Sequence, residues 1–437
     1  MKKVISLIIV GIMVFVLVAC NTQNVSNETT DIQSDIVTTL EESIKYQSLE
    51  VFNLMEGIES NISETIPDSS KASAVKATDF AVRLFKASNE SGKNTLISPL
   101  SVMAALSMTL NGAKGETASQ MEKVLGMSTK DLNEFYLNYT NALVNGEKYK
   151  LSLANSIWFT ADERFTVNRK FLQTNADYFK ADAYKAPFID STLKRINEWV
   201  DKKTDGMIPE IMDDISEAAV MYLINALSFD AEWDQVYAIS QVKDGTFSLE
   251  DGTEKVAKMM TSAGEWHLDD GLAKGFMKYY SRYKYAFVAM LPNKGVTVDQ
   301  YISSMTGEKV QEMLSNVKDG AFLASLPKFE YDYSIDMANV LKNMGMYDAF
   351  DSDRADFSNL GTLETGNVYI ERVIHKTSIC VAEDGTRAGA ATEIDIRAGG
   401  IPEIFEDIVF NRPFVYMIID MKNNIPIFIG TLMDVGG

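Results

Sequence analysis

Two histidines, His267 and His375, and two cysteines, Cys20 and Cys380, are all that the chain offers for imidazole or thiol chemistry. A His-rich metal centre, a Cys-ligated zinc site and a disulfide framework are therefore excluded. The chain has no G-x-S-x-G elbow, no H-E-x-x-H pair and no G-x-x-x-x-G-K-[ST] loop. Acyl transfer, metal-assisted hydrolysis and phosphate cradling thus lack their motifs. Gly112 and Gly115 read as a turn. His267 lies in the polar run Gly264–Asp270 and is expected in a solvated loop. Cys380, in Ser378-Ile379-Cys380-Val381, reads as a buried structural thiol on a strand. Pairs such as Asp213-Asp214 and Asp269-Asp270 read as solvated turns among 61 acidic residues. No enzymatic activity, cofactor or metal is expected.

The informative chemistry lies between Glu383 and Ile401. The run Gly385-Thr386-Arg387-Ala388-Gly389-Ala390-Ala391 is too small-sided to pack well, so it is expected in an exposed loop. Yet from Thr386 to Arg397 the segment alternates. Thr386, Ala388, Ala390, Thr392, Ile394 and Ile396 would share one face, and Arg387, Glu393, Asp395 and Arg397 the other. A period of two sustained that far is the pattern of a half-buried strand. The segment is thus a loop that is also written as a strand. Its smallest residues come first, where an entering strand would have to slip between neighbours.

The elements that must position this segment are legible in outline. Ala72–Ala87 has apolar residues at helical spacing, and Leu100–Leu110 is apolar or small all round, which predicts a buried helix after Ser98-Pro99. Strands are expected over Leu151–Phe159, Ala219–Phe229, Ala286–Leu291, Ala321–Phe329, Val368–Val381, Phe414–Met421 and Ile427–Met433. Helical patterns over Lys170–Phe179, Leu193–Thr204 and Ser334–Asn343 are interleaved. With no repeat and no internal linker, 73–437 reads as one α+β domain.

The first 19 residues read as an export leader. Lys2 and Lys3 precede an apolar run of about 16 residues, short of the roughly 20 that a spanning helix needs. Leu17-Val18-Ala19-Cys20 resembles the bacterial lipobox, which makes Cys20 the acylated residue. Residues 20–72 then read as a tether, with scattered apolar residues in Ile36–Ile58 that suggest a helix. The chain is expected to be exported and lipid-anchored at a bacterial cell surface. Loss of Lys2 and Lys3 takes the formal charge from −20 to −22, so anchoring rests on acyl chains alone. The same acidity argues against nucleic acid as a partner.

The loop, read with its surroundings, resembles the hinge and reactive-centre loop of serpins. The resemblance spans 73–437. It includes Asn94–Asn111, Asn155–Phe159, Ile196–Ile208, Leu223–Trp233, Leu326–Phe329, Leu341–Phe350 and Ile408–Ile418. It implies three sheets, about nine helices and an exposed bait loop. It also implies inhibition of extracellular serine proteases, in a covalent 1:1 complex trapped when the cleaved loop inserts into the main sheet. Cysteine proteases also pass through acyl-enzymes and fall within the same scheme. Glu383, Gly385, Thr386, Ala388, Ala390 and Ala391 match the hinge. Ser98, Ser101, Asn225 and His375 match the family's polar shutter, and Trp233 its breach, where the loop first enters. None does bond chemistry. Thr386, Ala388 and Ala390 are the inward hinge positions. Their small, uncharged side chains favour an inhibitor over the alternative, a non-inhibitory serpin used for binding or adhesion.

Counting from Glu383 places the scissile bond at Gly399-Gly400, whereas counting back from Phe410–Phe414 places it at Pro402-Glu403. The hinge count is preferred, because insertion distance decides where the protease ends. Ala398-Gly399 and Gly399-Gly400 suit narrow-pocket, elastase-like or subtilisin-like enzymes. Arg397-Ala398 suits a trypsin-like one. A monomer is expected, and neither the physiological target nor a modulating cofactor is legible.

Overall fold

The computed structural model describes residues 51–62, 70–142, 145–364, 366–386 and 405–436. The leader, Cys20, Ala388, Ala390, Ala391 and the bond candidates Arg397, Ala398, Gly399 and Gly400 lie outside those residues.

Three sheets and, among the described residues, nine α-helices form the α+β fold. The seven-stranded main sheet runs, edge to edge, Phe52–Asn53, Asp182–Ala186, Tyr149–Thr160, Met221–Glu232, Gly385–Thr386, Arg372–Val381 and Phe329–Asp336. A nine-stranded sheet packs behind one end of it, and the strands Phe165–Val167 and Gly361–Leu363 make a small third sheet. The strand Met221–Glu232 is buried on both faces. Leu223, Leu227 and Phe229 face the central core, while Tyr222, Ile224 and Ala226 join a cluster with Ile196 and Val200 of the helix Asp190–Lys203. Double burial explains its near-continuous apolar run.

All twelve residues of the helix Pro99–Leu110 are buried. Pro99 at its first position suits the fixed φ of proline, and Ser98 caps it by accepting the Ser101 N–H at 3.4 Å. This end sits beneath the main sheet, so the cap also delivers two hydroxyls to the sheet's inner face.

Several expectations change. The Ser334–Asn343 pattern is a strand to Asp336, paired with Arg372–Val381, and only Ala338–Asn343 is helical. Sheet pairing there outweighs a local helical period. His267 is not in a solvated loop. It lies in the strand Glu254–Asp269, is buried, and stacks on Phe405 with centroids 4.3 Å apart. The imidazole serves there as an aromatic plate, which polar neighbours in sequence conceal. Cys380 lies on a strand, as expected, but is half-buried because it sits on the outer face. Within the stretch read as tether, Val51–Ile62 packs against the body. Phe52 pairs with Lys185, and Leu54, Met55 and Ile58 lie on the core.

Candidate functional site

The two central strands of the main sheet are joined at one end and parted at the other. Arg372–Lys376 pairs directly, in parallel, with Tyr222–Ala226. Further along, Gly385–Thr386 lies between them, with Thr386 opposite Ala231 on one side and Val381 on the other. The start of the segment singled out in the sequence is therefore already a strand of the main sheet.

Close approach explains the glycine. A Cβ on Gly385 would lie 2.1 Å from the Ala231 carbonyl oxygen, so no other residue fits without backbone movement. Thr386 is only 2% exposed and faces inward. Its hydroxyl lies 2.5 Å from that of Tyr280, whose own ring stacks on Trp233 at 4.4 Å. The indole N–H of Trp233 donates to the Ala382 carbonyl, and its backbone N–H to that of Asp384, both at 2.9 Å. The Tyr237 N–H donates to the Glu383 carbonyl. Lys278 lies over the Tyr237 ring at 4.3 Å, a cation–π contact that braces this end. Glu383 pairs with Lys328, whose ammonium holds the carboxyl below its usual range. Both groups are part-exposed, so the pair orients more than it stabilises. The turn Ala382–Gly385 is thus held backbone by backbone, and Trp233 is its anchor.

A polar cluster lies beneath the joined part of the strands. His375 and Asn225 are register partners on the sheet, and Ser98 and Ser101 reach them from the helix below. The Ser98 N–H donates to His375 Nε2 at 3.0 Å, so the ring's proton sits on Nδ1 and is donated to Asn225 Oδ1 at 3.1 Å. Ser101 Oγ donates to the same oxygen at 2.5 Å. The Asn225 amide donates to the Ser101 carbonyl and to Asn155 Oδ1. All four predicted cluster residues meet, and each is essentially unexposed. Asn155 completes the cluster as a fifth member, and Tyr280 and Lys278 join the Trp233 end. Asn155 opens a stretch already noted for its family resemblance, but no signal marks its role or those of Tyr280 and Lys278, which follow from tertiary contacts.

Burial lowers the His375 pKa to about 3. A second ring proton would also face the Ser98 N–H. Unfolding restores an ordinary imidazole, so between about pH 6.5 and 3 the unfolded chain binds more protons. His375 thus contributes full stability above the unfolded pKa, and this is lost as pH falls, by up to about 1.4 kcal/mol per unit. Urea midpoints measured from pH 7 to 4 should fall with acid. The decline should be shallower in His375→Gln, and parallel declines would reject this role.

A mixed α+β protein is thus defined, with a main sheet parted at one end around the start of a long connecting segment. The profile described as Serpin (serine protease inhibitor) matches residues 75–435. The chain belongs to the serpin family. Human serpin B10 is 29% identical over 397 residues, 82% of this chain and 98% of that protein. The native-state structure of tengpin, a thermophilic serpin, is 46% identical and superposes with a TM-score of 0.83 over 88% of this chain and all of that one. Its latent-state structure gives a TM-score of 0.74 over 86% of this chain and 100% of that one, at 45% identity.

Proposed function

We propose that this serpin is a surface-anchored suicide inhibitor of extracellular serine proteases rather than an enzyme or a passive binding module. The observation that carries the reading is the short strand Gly385–Thr386, seated between the two central strands. Insertion then has only to continue a register that has already begun.

Extended residue by residue, that register sets Ala388 opposite Phe229 and Ala390 opposite Leu227, where small inward side chains meet large ones. Thr392 arrives between Asn225 and His375, and Ile394 between Leu223 and Val373. The joined stretch Arg372–Lys376 must leave Tyr222–Ala226 for this to happen, which requires the buried cluster to reorganise. Until it does, the cluster holds the lower half of the sheet shut. A protease acylated near Gly399 would be carried along as the strand advances, so that deacylation loses the race. Bonds at Ala398-Gly399 and Gly399-Gly400 favour elastase-like or subtilisin-like targets, with Arg397-Ala398 as the trypsin-like alternative. Acylation of Cys20 would hold the inhibitor at the bacterial surface, its body facing outward.

The direct test mixes the chain from Asn21 onward with one protease of each type. An SDS-stable band at the summed mass, and a released peptide starting after residue 398 or 399, are expected. Cleavage without such a band, with full protease activity left, would return the chain to the binding-module class. The same register sets Asp395 opposite Arg372, which now bonds to Asp214 at 2.9 Å and Asp336 at 3.3 Å. Asp395→Arg should therefore reduce the gain in melting temperature that follows loop cleavage. An undiminished gain would reject the extended register.

A further inference from the structure

A cavity of about 280 Å³ opens where the end of the helix Thr129–Ala142 meets two turns of the nine-stranded sheet. It shares no residue with the parted strands. Tyr139, Tyr283, Tyr285 and Asp420 line it, together with Lys284 and Lys422. The size suits a ligand no larger than an amino acid or a short peptide.

The groups on its wall are built for charge recognition. Asp420 is half-buried, and its two carboxylate oxygens accept from neutral donors, the Lys422 N–H at 3.0 Å and the Asn423 side-chain amide at 2.8 Å. A carboxylate has about four lone-pair directions, so acceptor capacity remains. Tyr285, its register partner across the strands, is buried. The Tyr139 side chain is buried too, and its hydroxyl has no hydrogen-bond partner among the described residues. Backbone strain converges on the same rim. Arg282 and Tyr283 both adopt left-handed backbone, at φ 67° and 57°, which is uncommon for non-glycine residues and rarer still for two in a row. Tyr283 is kept there by its hydroxyl, which donates to Asp234 at 2.8 Å.

Aromatic walls around a carboxylate attract an ammonium group, and the same carboxylate repels a simple anion. Burial raises the Asp420 pKa overall, and the two lysines, exposed at the edge, are close enough to oppose part of that rise. Cations there leave room for a negative group on the far end of the ligand. We infer that this cavity binds a small zwitterion, a free α-amino acid or a dipeptide, with its ammonium on Asp420 and its carboxylate toward Lys284 and Lys422.

Titration calorimetry on the chain from Asn21 onward tests the inference, with L-phenylalanine and L-phenylalanylglycine as probes. Saturable binding of at least one is expected, and the stronger probe identifies the source. N-acetyl-L-phenylalanine and 3-phenylpropionate lack the ammonium and should bind at least about tenfold more weakly, the loss of one charge-assisted contact. Asp420→Asn should weaken the zwitterion by a similar factor. Because Asp420 also holds its turn, a second variant guards against misfolding. Lys284→Gln/Lys422→Gln should weaken L-phenylalanine several-fold while leaving phenethylamine, which has no carboxylate, unchanged. Equal binding of the acetylated and free amino acids, or no saturable heat with either zwitterion at millimolar concentration, would overturn the site. Protease trapping is unaffected by any of these outcomes.

Discussion

On the trapping mechanism proposed above, Thr386→Arg is expected to leave the protein a substrate rather than a trap. The loop should still be cut at the same bond, but the SDS-stable complex should disappear, and more than about ten molecules should be consumed per protease inhibited. The reason is local. Thr386 follows Gly385 as the first inserted residue with a side chain, it faces inward, and it is wedged between Ala231 and Val381 with its hydroxyl on Tyr280. Burying an unpaired guanidinium there costs several kcal/mol, so the strand should stay out. Slow insertion gives water time to release the acyl-enzyme. Cleaved Thr386→Arg should also fail to gain heat resistance, whereas the cleaved parent should melt well above the uncut chain. Thr386→Ser keeps the size and the hydroxyl, and should retain trapping. An arginine variant that traps as efficiently as the parent would show that entry at this position does not limit the reaction.

Asn225→Ala should produce the largest loss of stability among single changes in the polar cluster. Asn225 is its hub, accepting from both Ser101 and His375 and donating to Ser101 and Asn155. The truncation leaves several buried polar groups without partners at once. Each orphaned group costs about 1–3 kcal/mol, and partial relaxation brings the expected total to about 3–5 kcal/mol. The loss should appear as a lower urea midpoint with an unchanged slope. It should also lower the temperature at which the main sheet opens, because the direct pairing of Tyr222–Ala226 with Arg372–Lys376 rests on this cluster. Asn225→Asp keeps the acceptor but loses the donor, and should fall between. Equal stability of Asn225→Ala and the parent would show that the cluster fills space without holding the strands.

The local sequence was sufficient for elements whose burial leaves a clear period. The helices Ser70–Ser88 and Pro99–Leu110, and the strands Tyr149–Thr160 and Met221–Glu232, lie within a few residues of their expected limits. Each reads plainly because one side, or every side, meets the core. The strand Glu254–Asp269 was invisible, since its length is shared among three partners and its buried His267 lies among polar neighbours. His267 was misplaced for the same reason. The strand Phe329–Asp336 alternates toward solvent on one face, and a short helix follows it at once, so the two periods blur into one.

The candidate site divides in the same way. The alternation from Thr386 to Arg397, the small hinge residues and the apolar run ending at Cys20 are properties of order along the chain, and the sequence alone determined them. Together with the family motifs, they were enough to anticipate the fold and which four polar residues belong together. Only the tertiary structure decided that Gly385 and Thr386 lie within the sheet. Nothing in Gly385-Thr386 itself says whether two residues or none lie between Ala231 and Val381. That depends on the carbonyls of Ala382, Glu383 and Asp384 finding donors on Trp233 and Tyr237, in the segment that follows the strand Met221–Glu232, some 150 positions earlier. The tautomer of His375 was settled the same way, by an N–H on a helix cap 277 residues away in sequence. Periodicity records which face of an element is buried, whereas register and hydrogen-bond partners exist only once distant strands have met.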